Sequence, residues 1–178
     1  VEAGKIKAIW IMATNPVGSL PNADQVKRAL ENCEFVVVSD ICLDTDTTQY
    51  ADVLLPALGW GDIDGTVTNS ERRISRQRAF LDIPEQAQAD WWSVSQVAKK
   101  LGFQGFDFES SHDIFKEHAQ LSAYQNAEID LRSSTETFRY FNLAGLTNLS
   151  FDDYQELEPT QWPVLVPLKN GQTKPNIF

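Results

Sequence analysis

Apolar residues crowd into residues 6–12 (Ile-Lys-Ala-Ile-Trp-Ile-Met) and stop at Thr14-Asn15-Pro16. A short apolar run closed by turn residues predicts a buried strand. Residues 22–32 follow with Ala23, Val26, Ala29 and Leu30 on one helical face, and Asn22 stands where an N-cap belongs. Residues 35–38 form a second apolar run ending at Ser39-Asp40, residues 45–50 suit one or two helical turns, and residues 51–56 form a third run. Strand, helix, strand, short helix, strand is the rhythm of a parallel sheet with helices on its faces. The predicted class is α/β: a Rossmann-like parallel sheet with flanking helices, followed by an irregular C-terminal segment.

The pattern changes after Trp60. Residues 62–69 read as an irregular loop with short strand pairings, and residues 73–79 are basic. Residues 90–101 place Trp91, Val94, Val97, Ala98 and Leu101 at helical spacing, with Gly102 as the stop. Residues 112–124 predict one more helix. Beyond Gln125 the aromatic residues, among them Phe138, Tyr140, Phe141, Phe151, Tyr154 and Trp162, lack a clear period. Residues 1–124 are therefore expected to be an α/β domain, and 125–178 an extended tail that needs another surface to lie on. The opening Val-Glu-Ala and the Pro-rich close suggest a piece of a larger protein.

Composition narrows the function classes. The 178 residues are 42% hydrophobic and include 5 Trp and 10 Phe, enough for a true core rather than disorder. With 25 acidic against 15 basic residues the net charge is -10, which disfavours a nucleic-acid partner because phosphate neutralisation needs a basic surface. No run of 18 apolar residues is present, so no membrane-spanning helix is expected. Cys33 and Cys42 lack any paired metal-ligand spacing and are expected to be buried reduced thiols of a cytoplasmic protein.

In open α/β sheets, ligands bind beyond the carboxyl ends of the strands. Two such ends are polar here: Asn15 closes the first apolar run, and Ser39 with Asp40 closes the second. A carboxylate at such a position can read guanine, whose N1–H and N2–H₂ donors lie side by side. Asp40 equally suits a cap on the next turn, and Asn15-Pro16 equally suits a simple turn. Asp90 opens a helix, where a first-turn acid is common without any ligand. The run Arg72, Arg73, Arg76 and Arg78 either grips phosphate or pairs with the acidic excess. His112 and His118 are six apart and do not share a helical face, so a metal site is not expected. No phosphate-binding loop, nucleophile elbow or zinc-helix motif occurs.

Taken together, residues 9–16 (Ile-Trp-Ile-Met-Ala-Thr-Asn-Pro), 38–40 (Val-Ser-Asp), 51–56 (Ala-Asp-Val-Leu-Leu-Pro) and 65–73 (Gly-Thr-Val-Thr-Asn-Ser-Glu-Arg-Arg) resemble the molybdopterin guanine dinucleotide oxidoreductases. Residues 141–146 and Gln161-Trp162-Pro163 look most like the bacterial assimilatory nitrate reductases. The resemblance covers nearly the whole chain. It implies a parent enzyme that reduces nitrate to nitrite at a molybdenum held by pterin dinucleotides, fed by a 4Fe-4S cluster outside this segment. It implies that Asn15, Ser39, Asp40 and Asp90 contact one guanine dinucleotide, with Asp40 reading the base. Periplasmic relatives carry Glu-Lys-Glu-Gly where this chain has Asp62-Ile63-Asp64-Gly65, which removes one expected cofactor contact. The four-cysteine cluster motif, the molybdenum-ligand segment and the C-terminal barrel of the family are not among these residues. The segment alone is thus expected to be inactive, to depend on the parent's remaining domains, and to be open to self-association. Sister readings are a formate dehydrogenase, a periplasmic nitrate reductase, or a scaffold subunit that has lost the cofactor.

Overall fold

A computed structural model describes residues 1–126 and 139–165. The chain forms two compact units, one from Val1–Ile63 with Ala79–Phe106, the other from Asp64–Arg78 with the described part of Asp107–Phe178.

The first unit is built on three parallel strands, β1 (Ala8–Met12), β2 (Phe35–Asp40) and β3 (Val53–Pro56), in the order β1-β2-β3. The expected parallel α/β sheet is present. Residues of one parity face one side of a strand; Ile11, Val36 and Val38 thus share a face and bury against Val17 and Leu30. Val17 comes from α1 (Pro16–Ser19), a short helix where only a turn was expected; proline at its first position is preset for helical φ and lacks no needed donor. Leu30 comes from α2 (Ala23–Glu31). Asn22 does precede α2 but in the left-handed region, its side chain bonded to Gln25 Oε1 at 3.1 Å instead of capping the backbone. β3 begins two residues later than predicted. Residues 48–50 make a 3-10 turn first, and Asp52 then accepts the Val36 N–H at 2.7 Å.

Neither cysteine is buried as expected. Cys33 is half-buried just past the end of α2, and Cys42 is exposed in the loop after β2, where solvent-facing backbone leaves no apolar niche; both are free thiols. The unit is completed by α3 (Asp90–Lys100), which ends at Gly102 with φ +85.

In the second unit, β4 (Gly65–Thr68) and β5 (Arg73–Gln77) pair antiparallel, confirming the short pairings expected there. A two-residue strand, β6 (Thr160–Gln161), joins the far side of β5. α4 (Ser111–Ala123) begins at a capping box, with Ser110 accepting the Asp113 N–H and Asp113 accepting the Ser110 N–H. The residues 139–165, expected to lie on a foreign surface, instead furnish this unit's core. Leu143, Leu146, Tyr154, Leu157 and Val164 bury against Ile74 of β5 and Phe115 and Ala119 of α4. Tyr154 stands on α5 (Phe151–Gln155). A clear period was lacking because these side chains project from a 3-10 turn, a five-residue helix and extended loops. Phe138 lies outside the described residues.

Candidate functional site

Because β1, β2 and β3 run parallel and side by side, their carboxyl ends share one edge of the first unit. Asn15 follows β1 and Asp40 ends β2, so the two polar groups singled out in the sequence stand on adjacent strand ends. The edge is extended past β3. Gln88 bridges Ala57, with its N–H donating to Pro56 O at 3.0 Å and its carbonyl accepting from Leu58 N at 3.2 Å. Asp90, two residues on, opens α3 on this same edge.

Each side chain has a defined setting. Asp40 is half-buried, and its Oδ1 accepts the Cys42 N–H at 3.0 Å, the turn role that sequence offered as one of its two readings. Among the described residues, Asp40 Oδ2 takes no donor. Ser39 is 2% exposed, and its hydroxyl accepts the Trp10 indole N–H at 2.8 Å, so that side chain braces the strand ends from within. Asn15 Oδ1 accepts from the Thr47 hydroxyl at 2.6 Å, while Thr47 Oγ1 accepts the Val17 N–H at 3.1 Å. Burial pushes the Asp90 carboxyl above its ordinary value, and among the described residues no donor meets it. An acid at a helix N-terminus is normally favoured by the backbone dipole; here desolvation outweighs that.

Two residues of this site carried no usable sequence signal. Thr47, fully buried, sits in the polar stretch Thr45-Asp46-Thr47-Thr48 that reads as an ordinary turn. Trp10 reads as one more apolar member of a strand. Both act through partners about thirty positions away.

The arginine run, left open between phosphate and internal pairing, pairs internally in the second unit. The Arg76 side chain is fully buried, with its guanidinium 2.6 Å from Asp64 Oδ1 and 4.0 Å above the Tyr154 ring. It also donates to Gly65 O, to Tyr154 Oη at 3.2 Å and to Gln155 Oε1 at 3.0 Å. Arg78 donates to Gln155 O, Arg73 to Pro159 O at 3.3 Å, and Arg72 lies over the Trp162 ring. His112 packs against Tyr154 and Phe151 with Nε2 2.9 Å from Leu149 O, and His118 packs against Phe141.

A parallel sheet with polar strand ends on one edge is the frame of a nucleotide-type site, and residues 1–100 match the family described as molybdopterin oxidoreductase. The chain belongs to that family. It is 53% identical over 98% of its length to a nitrate reductase of Shewanella frigidimarina (strain NCIMB 400). It is 37% identical over 68% of its length to the assimilatory nitrate reductase catalytic subunit of Bacillus subtilis (strain 168). An F420-dependent formate dehydrogenase subunit alpha of Methanocaldococcus jannaschii is 43% identical over 65% of the chain. The chain spans 18% of the Shewanella relative, 17% of the Bacillus relative and 17% of the Methanocaldococcus relative. Among the described residues no helix is long and apolar enough to cross a membrane.

Proposed function

We propose that this chain supplies one guanine-dinucleotide subsite of the molybdenum cofactor in a larger, cytoplasmic, assimilatory nitrate reductase. The carrying observation is the carboxyl edge of the β1-β2-β3 sheet, where Asn15, Asp40 and Asp90 each keep polar atoms that take no partner among the described residues. The donor set fits. Guanine presents N–H groups, which need acceptors, and Asp40 Oδ2 and the half-buried Asp90 carboxylate are acceptors that take no donor among the described residues. A carboxylate has about four lone-pair sites, so the Cys42 N–H on Oδ1 leaves room for a base edge.

In this reading the chain binds and orients. Asp40 holds the base, Asn15 and Asp90 line the rim, and the Trp10–Ser39 bond keeps β1 and β2 in register beneath them. When bound, the molybdenum centre supplies the oxygen-atom transfer that turns nitrate into nitrite. The 4Fe-4S cluster and the molybdenum ligand belong to the rest of the parent enzyme, so the chain alone is inactive. A formate-oxidising parent is the second reading, favoured by the 43% identical formate dehydrogenase relative. The subsite role is common to both.

The test compares Asp40→Ala, Asp40→Asn and Asp52→Ala in the full-length enzyme. Losing a charge-assisted pair to a buried base edge costs about 1.5–3 kcal/mol, roughly ten- to hundredfold in affinity. Asp40→Asn keeps one oxygen for the Cys42 N–H yet turns a donor toward guanine's donors, so it separates base reading from the turn. Asp52 accepts the Val36 N–H on the far side of the sheet, so its loss weakens folding and not binding. Pterin and molybdenum per folded chain should fall in both Asp40 variants and hold in Asp52→Ala. Equal loading in all of them reduces Asp40 to a turn residue. Nitrate and formate assays on the wild type decide between the two parents.

A further inference from the structure

Asn15 has an amide whose two ends differ, one a donor and the other an acceptor, and the protein decides which end faces outward. The decision is made by Thr47. Its Oγ1 accepts the Val17 N–H at 3.1 Å, a group that can only donate. Its single hydroxyl hydrogen must therefore go elsewhere, and Thr47 is 0% exposed, so no water is at hand. Among the described residues its acceptor is Asn15 Oδ1, at 2.6 Å. If the amide were reversed, Nδ2 would face the hydroxyl, and the Thr47 hydrogen would be buried without an acceptor. A buried hydroxyl hydrogen without an acceptor is costly enough to hold the amide in one orientation. Nδ2 is thereby the end turned away from Thr47. Among the described residues it has no acceptor, and a Cβ added at Gly18 would stand 3.1 Å from it.

We infer that Thr47 is a positioning residue that fixes Asn15 as an outward donor, committing that corner of the edge to a hydrogen-bond acceptor of the dinucleotide. Asp40 and Asp90 offer the ligand acceptors; Asn15 offers a donor. The edge thus carries a fixed polarity, donor at the end of β1 and acceptor at the end of β2, which a ligand of the reverse polarity does not match. Gly18 fits the same arrangement, because a side chain there would press on the amide it leaves free.

The inference rests on the subsite reading above, and the experiment keeps the two apart. In the full-length enzyme, Thr47→Val removes the hydroxyl at nearly constant shape, Thr47→Ser restores it, and Asn15→Asp keeps the acceptor for Thr47 while deleting the donor. Pterin dinucleotide and molybdenum per folded chain are measured alongside thermal unfolding of the cofactor-free protein. Thr47→Val and Asn15→Asp should each lower retention by about tenfold, the value of one hydrogen bond made only in the correct orientation. Thr47→Ser should recover it, and Thr47→Val added to Asn15→Ala should lose nothing more. Because Asn15→Asp preserves the Thr47 and Val17 bonds, it reads the donor even if Thr47→Val folds poorly. Wild-type loading in Asn15→Asp, or full additivity of Thr47→Val with Asn15→Ala, overturns the inference. If Asp40→Ala loses cofactor while Asn15→Asp does not, only this inference fails; if both load fully, the subsite reading fails with it.

Discussion

In the proposed subsite, Asp90 stands where stability and binding would pull against each other. Its carboxyl is half-buried at the first position of α3, and burial raises its pKa in the folded chain above the unfolded value near 4. The folded state therefore binds a proton more tightly than the unfolded one. Stability on this account is highest below the unfolded pKa, falls as pH rises through the interval up to the folded pKa, and stays lowered at neutral pH. Asp90→Asn removes the charge and should unfold at a higher temperature than the wild type at pH 7. The difference should vanish near pH 3, as thermal melts of the cofactor-free protein will show. The same variant should retain less cofactor, since the amide no longer offers two acceptor oxygens. A variant that is neither more stable at pH 7 nor poorer in cofactor would mean that Asp90 is an ordinary first-turn acid. The placement of Asn15 and Asp40 on adjacent strand ends was legible in the sequence because each is a polar residue closing an apolar run. The roles of Ser39 and Thr47 were not, because which way a hydroxyl points depends on Trp10 and Asn15, neither of which is a sequence neighbour.

At the scale of elements, legibility followed pattern. The helices α2, α3 and α4 carry enough residues for a period to show and the three parallel strands read as apolar runs, whereas α1, α5 and β6, of four, five and two residues, show neither. Such short pieces are stabilised by what they pack on, and no local pattern specifies them. The start of α4 was nevertheless written in Ser110-Ser111-His112-Asp113, a capping box with Asp in the place where Glu or Gln is usual. Burial alone would push the Asp113 carboxyl up, but the Ser110 hydroxyl and the N–H groups of Glu109 and Ser110, with His112 beside it, bring it below its ordinary value. A depressed carboxyl contributes stability above the unfolded pKa and loses it as pH falls through the folded one. Ser110→Ala should cost about 1 kcal/mol at pH 7. Asp113→Ala should also destabilise at pH 7, with the gap to wild type closing under acid. Hydrogen exchange in the first turn of α4, followed at pH 7 and again near pH 3, reads both. A gap that persists unchanged in acid would assign Asp113 a packing role only.

At the scale of the whole molecule, the two units are not consecutive stretches of chain. The second unit takes Asp64–Arg78 from between two pieces of the first, then adds residues beyond 106. Its core cannot close without the late segment. Of its eight buried members among the described residues, Leu143, Leu146, Tyr154, Leu157 and Val164 all lie past residue 139, and Leu143 is tied to α4 by its N–H bond to the Ser122 hydroxyl at 2.9 Å. Burying one such side chain is worth about 1.5–3 kcal/mol. Removing five is comparable to the roughly 5–15 kcal/mol by which a whole domain is stable. A chain ending at residue 124, where the hydrophobic pattern fades, should therefore leave Ile74, Phe115 and Ala119 uncovered. Its α4 and β4–β5 hairpin should lose hydrogen-exchange protection, while the β1-β2-β3 sheet, whose core draws on none of the missing residues, keeps its own. Tyr154→Ala in the complete chain makes the same point with one change. It opens a cavity under Ile74 and Phe115 and strips the Arg76 guanidinium of both the ring beneath it and the hydroxyl beside it. A loss of about 3–5 kcal/mol is expected for an aromatic side chain removed from a core. Native protection of α4 in the 124-residue chain would show that the hairpin and α4 close a core of their own, and that the late segment only covers it.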